Sequence, residues 1–204
     1  MPSRASRTTP ALVPPLPPAI PRWGNALTRA IGRAGLRGFG WRLAGDLPDV
    51  PKLVAIAAPH TCTADVFVGL AVLLALGARV HWFGKHTIFW WPLASVLRWL
   101  GGIPVDRTRA GGLVGQATQL LEDREQLCLA LAPEGTRKKV DRWKTGFYRI
   151  AHGAGVPILP VALDYRRGVA QILTPLLPSG DYEADLAKIQ SLFCAGMARH
   201  PERY

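Results

Sequence analysis

Apolar residues in this chain come in two alternating rhythms, and the alternation predicts the architecture. Runs at 53–58, 79–84, 103–105, 127–132, 158–165 and 170–174 have the length and composition of strands, the last of them read as an edge strand. Between them, 63–76, 113–124 and 147–153 carry apolar positions at helical spacing, the first as a fully apolar, buried helix. A further short strand is expected at 40–44, joined to the 53–58 run by a turn around 46–51. The 182–199 tail reads as one helix with Leu186, Ile189, Phe193 and Met197 on one side. Strands alternating with helices argue for an α/β layered domain. At 204 residues, 49% of them hydrophobic, the chain is long enough for one domain with a sizeable core.

The first 45 residues break this rhythm. Seven of the 18 prolines fall within residues 1–21, so this segment reads as a flexible, proline-rich leader that leaves no room for an apolar signal core. From 23 to 34 a helix is expected, with Trp23, Leu27, Ile31 and Ala34 on one stripe and Arg22, Arg29, Arg33 and Arg37 on a neighbouring one. An apolar stripe fringed by arginines suits a helix lying in a membrane interface. The same helix docked on the domain would hold its arginines in water, and both placements stay open at this level.

Charge sharpens the picture. Residues 1–45 carry seven arginines and no acid, so +7 of the net +11 lies there, which points to an anionic surface, lipid or nucleic acid. Nucleic acid is the weaker choice: there is no zinc-ligand spacing, no aromatic RNA-binding signature and no basic helix continued by heptads. The longest apolar run, 66–78, is shorter than the ~20 residues of a spanning helix. Cys62, Cys128 and Cys194 are odd in number, far apart and in apolar surroundings, as expected of reduced thiols rather than a disulfide or metal site. The 88–100 stretch, with Trp90, Trp91 and Trp99 and Arg98 as its single charge, is read as core in preference to a membrane-interface face or an acyl-channel wall.

Candidate chemistry sits where apolar runs end. His60 and Asp65 follow the 53–58 run. Within one continuous helix, five positions turn through about 500°, and the two side chains would diverge. They meet only if His60 sits on a strand-to-helix turn and Asp65 lies in the first helical turn, with Thr61 or Thr63 as the cap. Asp65 near the positive helix end would stay ionised, accept from Nδ1 and leave Nε2 free to take a proton. No nucleophile lies close by, and Cys62 faces away if the pair meets across the turn, so the hydroxyl to be activated would belong to the substrate. A second cluster, Pro133-Glu134-Gly135-Thr136-Arg137, runs into Lys138, Lys139, Arg142 and Lys144, a cationic loop suited to a phosphate. Arg107, just past the 103–105 run, adds one more cation.

Four blocks in this order resemble the glycerolipid acyltransferase family, whose best-known members are the lysophosphatidate (1-acylglycerol-3-phosphate) acyltransferases. His60-x4-Asp65 matches the family's catalytic motif, and the 102–107 block looks like its second, ending in a substrate-binding arginine. The 133–137 run is similar to the third and most specific block. Val-Pro-Ile-Leu-Pro-Val at 156–161, with Pro157 and Pro160, resembles the fourth, linked with the acyl donor. The sequence departs from the family pattern at Pro59, Cys62 and Lys138, where Asn, Ser and a small polar residue are usual, and it lacks the hydrophobic N-terminal spans of many relatives.

The resemblance implies a single layered α/β domain over 46–204, a mixed central β-sheet flanked by helices, preceded by a basic amphipathic element at 22–45. It implies transfer of a fatty acyl group from a thioester, on coenzyme A or acyl carrier protein, to a lysophospholipid hydroxyl, without cofactor or metal. His60 would be the base and Asp65 its orienter. Arg107, Arg137 and Lys138 would hold the acceptor phosphate, with Thr136 in the same loop. Glu134 would position hydroxyls or brace the loop, and a backbone N–H near Gly135 would face the oxyanion. The partners implied are the lysolipid, the thioester and, by peripheral contact, an anionic membrane surface on its cytoplasmic side, with no nucleic acid. Arginine outnumbers lysine 19 to 6, a composition in keeping with a bacterial gene. The competing readings are an acyl-thioester hydrolase and a catalytically silent lipid-binding protein.

Overall fold

The computed structural model describes residues 11–105 and 112–204. In chain order its main elements are α1 (Ala26–Phe39), β1 (Arg42–Ala44), β2 (Lys52–Ala58), α2 (Ala64–Leu76), β3 (Val80–Lys85), α3 (Leu93–Trp99) and β4 (Gly102–Val105). There follow α4 (Gly112–Asp123), β5 (Leu127–Leu131), α5 (Gly146–Gly153), β6 (Ile158–Asp164), β7 (Val169–Ile172) and α6 (Tyr182–Gln190). The strands form one sheet in the order β1-β7-β6-β2-β5-β3-β4. β6, β2, β5, β3 and β4 run parallel, as helical crossovers require, while β7 is antiparallel to β6 and parallel to β1. The sheet is mixed and covered by helices on both faces, as expected for the fold class.

Strand alternation feeds two cores. Along β2, Val54, Ile56 and Ala58 point into a cluster shared with α4, α5 and α6, and Leu53, Ala55 and Ala57 into one shared with α1 and α2. Cys128 is buried in the second cluster, and burial pushes its thiol up to about 12.

The structure corrects several expectations. The 170–174 run is not an edge strand: β7 lies between β6 and β1, and β1 takes the edge. The tail helix stops at Gln190, and Cys194 is extended, so Phe193 and Met197 reach the core through turns. The described half of the leader packs on the domain. Leu12, Val13, Leu16 and Ile20 cover the second core, the Leu12 carbonyl accepts from the Leu43 N–H (2.9 Å), and Asp49 accepts from the Ala19 N–H (2.8 Å). Prolines need no backbone donors satisfied, so such a segment can lie on apolar surface without joining the ladder.

α1 begins at Ala26, later than expected, because Asn25 and Thr28 form a capping box there; Gly40, at φ 70°, ends it. It docks on α2 through its small face: a Cβ on Gly32 would lie 2.3 Å from the Ala75 nitrogen. The apolar stripe predicted for this helix therefore faces outward, with Leu27 68% and Ile31 56% exposed. The 88–100 stretch is not core either. Trp90, Trp91, Val96 and Trp99 are exposed, and Trp99 meets Trp23 edge-on at 4.6 Å. No helix among the described residues is long and apolar enough to cross a membrane.

Candidate active site

Three adjacent parallel strands, β5, β2 and β6, end side by side, and each delivers a polar group at its carboxyl end: Glu134, His60 and Tyr165. The carboxyl edge of a parallel sheet is where α/β folds build their sites. Here the register of β2 against both neighbours brings residues 74 and 100 positions apart into contact.

Asp65 organises the centre. It sits in the first turn of α2, only 4% exposed, and receives five donors. Its Oδ2 accepts from the backbone N–H of Thr61 (2.9 Å) and Cys62 (3.0 Å) and lies 3.1 Å from His60 Nδ1. Its Oδ1 accepts from the Tyr165 hydroxyl (2.5 Å) and the Cys62 thiol (3.1 Å). Burial alone would raise its pKa, but the hydrogen bonds from His60, Tyr165 and Cys62 outweigh it and hold the carboxyl at about 2. Asp65 itself closes the turn by accepting from Thr61 and Cys62, and neither threonine acts as the cap, since Thr63 at the N-cap makes no side-chain capping bond. The expectation for Cys62 fails for the same reason: a turn tight enough to bring His60 back onto Asp65 also swings the thiol onto that carboxylate.

With Nδ1 on the carboxylate, His60 Nε2 is left without a hydrogen-bond partner among the described residues. The backbone of the turn is tied on its other side. Glu134 Oε1 accepts from the His60 N–H (3.0 Å), and Thr61 Oγ1 accepts from the His200 N–H (3.3 Å). Glu134 is 4% exposed and its Oε2 has no partner among the described residues; burial pushes its carboxyl above the usual range. Of the two roles expected of Glu134, bracing is the one visible in its contacts. The oxyanion expectation meets an obstacle at Gly135, whose N–H is already bonded to the Ala132 carbonyl at 3.0 Å.

The basic loop lies beside this centre. Gly135 adopts φ 67°, with the Lys144 stem across it. Thr136 Oγ1 accepts from the Lys138 N–H at 3.3 Å, and the Lys138 side chain is exposed. Arg137 reaches from the loop to the start of α2, donating to Thr63 Oγ1. Arg107 lies outside the described residues, two positions past the end of β4.

A family model described as Acyltransferase matches residues 46–164, more than half of the chain. The chain belongs to the acyltransferase family. Among curated proteins, the 1-acyl-sn-glycerol-3-phosphate acyltransferase of Haemophilus influenzae is 29% identical over 130 residues, covering 54% of this chain and 53% of its own length. The lyso-ornithine lipid O-acyltransferase of Pseudomonas aeruginosa is 31% identical over 159 residues, covering 74% and 58%. The chain thus spans little more than half the length of each. Among solved structures, the 1-acyl-sn-glycerophosphate (LPA) acyltransferase of Thermotoga maritima superposes with a TM-score of 0.61 over 81% of this chain and 76% of its own, at 22% identity, a likeness of fold.

Two features of this acyltransferase domain were beyond sequence reasoning. Tyr165 bonds Asp65; burial and that bond push its hydroxyl pKa far above the ordinary value, so it stays a donor. Its only sequence signal is its place at the end of a core strand. The second is an apolar cavity of about 150 Å³ between α2 and the sheet, with Asp65, Leu16, Ile20 and Leu47 in its lining. Leu159 and Val161 line it. Pro160 alternates with them and so faces the opposite core, alongside Ile158 and Ala162. Its carbonyl accepts from Leu173 (3.0 Å) but it has no N–H to return, and β7 ends at Ile172. Pro157 precedes β6 and offers its carbonyl to the Val54 N–H (3.0 Å). The two prolines shape the strand that forms the cavity wall and do not line the cavity.

Proposed function

We propose that this chain transfers a fatty acyl group from an acyl thioester to the hydroxyl of a lysophospholipid such as 1-acylglycerol-3-phosphate, with His60 as general base. The observation that carries this reading is an imidazole oriented by Asp65, its Nε2 without a partner among the described residues, close to an apolar cavity that Asp65 helps to line and to a cationic loop that Arg137 ties to Thr63. The acyl chain occupies the cavity and the phosphate of the acceptor meets Arg137 and Lys138, with Arg107 joining them on the family resemblance. The acceptor hydroxyl attacks the thioester carbonyl while His60 Nε2 takes its proton. The carbon–sulfur bond then breaks and the thiolate recovers that proton from the imidazolium, so no acyl-enzyme forms. Asp65 holds the tautomer and balances the imidazolium. Glu134 braces the histidine turn through the His60 N–H.

Membrane contact is part of the same reading. Leu27 and Ile31 on α1, together with Trp91, Val96 and Trp99 on and before α3, leave apolar surface in water beside Arg29, Arg33 and Arg98, a combination that suits an anionic bilayer surface.

The test is one labelled long-chain acyl-coenzyme A offered with a panel of lysolipids that includes lysophosphatidate and lyso-ornithine lipid. Transfer to at least one acceptor is expected, and His60→Ala should abolish it without changing the circular dichroism spectrum. Thioester loss that is independent of every acceptor would replace this reading with a hydrolase.

A further inference from the structure

A cleft of about 510 Å³ is lined by Tyr165 and by Ala64, the residue before Asp65. Tyr165 joins it to the centre, donating to Asp65 Oδ1 while His60 holds Oδ2. The floor is Trp41, edge-on to Tyr165 at 4.8 Å, where the backbone of the α1–β1 turn meets that of the β6–β7 turn. The contact is close: a Cβ on Gly168 would lie 2.3 Å from the Gly40 carbonyl oxygen. Phe39 and Phe67 stand in the walls, 58% and 57% exposed.

The rim is strongly cationic. Arg166 and Arg167 come from the β6–β7 turn and Arg199 from the C-terminal segment, its guanidinium 5.8 Å from the Tyr165 ring centre. The nearby carboxylate does little to neutralise them. Asp164 Oδ1 accepts from the backbone N–H groups of Arg166 (3.0 Å) and Arg167 (3.2 Å), and Oδ2 comes no closer than 4.0 Å to the Arg167 side chain. Arg166 and Arg199 form no ion pair among the described residues.

Acyl transfer needs two polar openings to the reaction centre, because the bond forming to the acceptor oxygen and the bond breaking to the sulfur point away from the carbonyl carbon in different directions. The loop bearing Arg137 and Lys138 serves one. We propose that the Arg166–Arg167–Arg199 cleft serves the other and binds the nucleotide end of a coenzyme A thioester, its phosphates on the arginines and its purine against Phe39 and Phe67. This rests on the acyltransferase reading above and names the donor's binding site. A concave site of this size with exposed aromatic rings fits a nucleotide. A carrier protein would bring a single phosphodiester and a convex face.

The experiment measures binding of desulfo-coenzyme A by calorimetry to the full chain carrying His60→Ala, which separates binding from turnover. Arg166→Ala/Arg167→Ala is expected to weaken affinity about tenfold or more, as loss of charge-assisted bonds implies. The turn should survive, since Asp164 grips backbone there. In the parent background the same pair should raise the KM for acyl-coenzyme A and leave that for the matching N-acetylcysteamine thioester, which lacks the nucleotide, where it was. If the double variant loses its melting transition, Arg199→Gln gives the same readout from a different segment. Unchanged affinity in a folded variant overturns the proposal. So does an equal loss on both thioesters, or a loss confined to acyl carrier protein, which would make the cleft a protein-docking site. Nucleotide binding that responds to these substitutions in a chain that acylates no lysolipid would sink the proposed function and leave this site standing.

Discussion

Replacing Asp65 by asparagine separates two things a carboxylate can do for a histidine: orient it, and balance its charge. Three N–H groups converge on Oδ2, two of them backbone amides fixed by the turn, whereas Oδ1 faces a hydroxyl and a thiol that can each accept instead of donate. The asparagine is therefore expected to keep its oxygen toward His60 and its NH₂ toward Tyr165. The imidazole tautomer survives and only the charge is lost. Two unit charges about 4 Å apart attract by about 4 kcal/mol at an effective dielectric near 20. His60 keeps 19% side-chain exposure, so solvent screens part of this. A net loss of about 3 kcal/mol lowers kcat about 10²-fold, at 1.36 kcal/mol per decade. The assay is steady-state acyl transfer at saturating acceptor, paired with nitrogen NMR of the imidazole to read the tautomer. A kcat within about threefold of the parent would remove Asp65 from the mechanism. A fall beyond about 10⁴ with an inverted tautomer would refute the orientation argument.

Other expectations follow from the same contacts. Asp65 is depressed from 3.8 to about 2, so its contribution to stability, about 2 kcal/mol, is complete above pH 3.8 and disappears as pH falls through 2. The melting-temperature gap between parent and Asp65→Asn should be flat above that window and close within it; a gap constant throughout would contradict the assigned shift. Glu134 has the opposite sign: its carboxyl is raised, so ionising it costs stability as pH rises past its ordinary 4.5. Glu134→Gln keeps an acceptor for the His60 N–H and should melt no lower than the parent at pH 8, an advantage that fades on acidification. Gly32→Ala would put a methyl 2.3 Å from the Ala75 backbone and should lower stability by about 1–3 kcal/mol in urea titration; an unchanged midpoint would mean α1 is not seated on α2 as described. Leu27→Ser/Ile31→Ser should leave the melting temperature in place, since both side chains are exposed, and reduce flotation with anionic liposomes; undiminished flotation would move the membrane contact elsewhere.

What this sequence determined by itself is what depends on neighbours along the chain. Apolar periodicity placed the elements in order and marked the strand-to-helix turn that lets His60 meet Asp65, because those preferences are settled within a few residues. The ends slipped where a cap or a return to extended backbone decided them, as at Asn25 and Cys194. Tertiary structure decided the rest. Strand order is a matter of long-range pairing, so nothing local in the 158–165 run told that Tyr165 would arrive at Asp65, or that Glu134 would hold the His60 backbone. Periodicity showed that α1 has an apolar stripe but not which side meets α2; the glycine face won, because only there can two helix backbones come into contact. The tryptophan-rich stretch misled for a related reason: hydrophobicity ranks what a residue gains by leaving water, and packing geometry settles whether there is anything to bury it against.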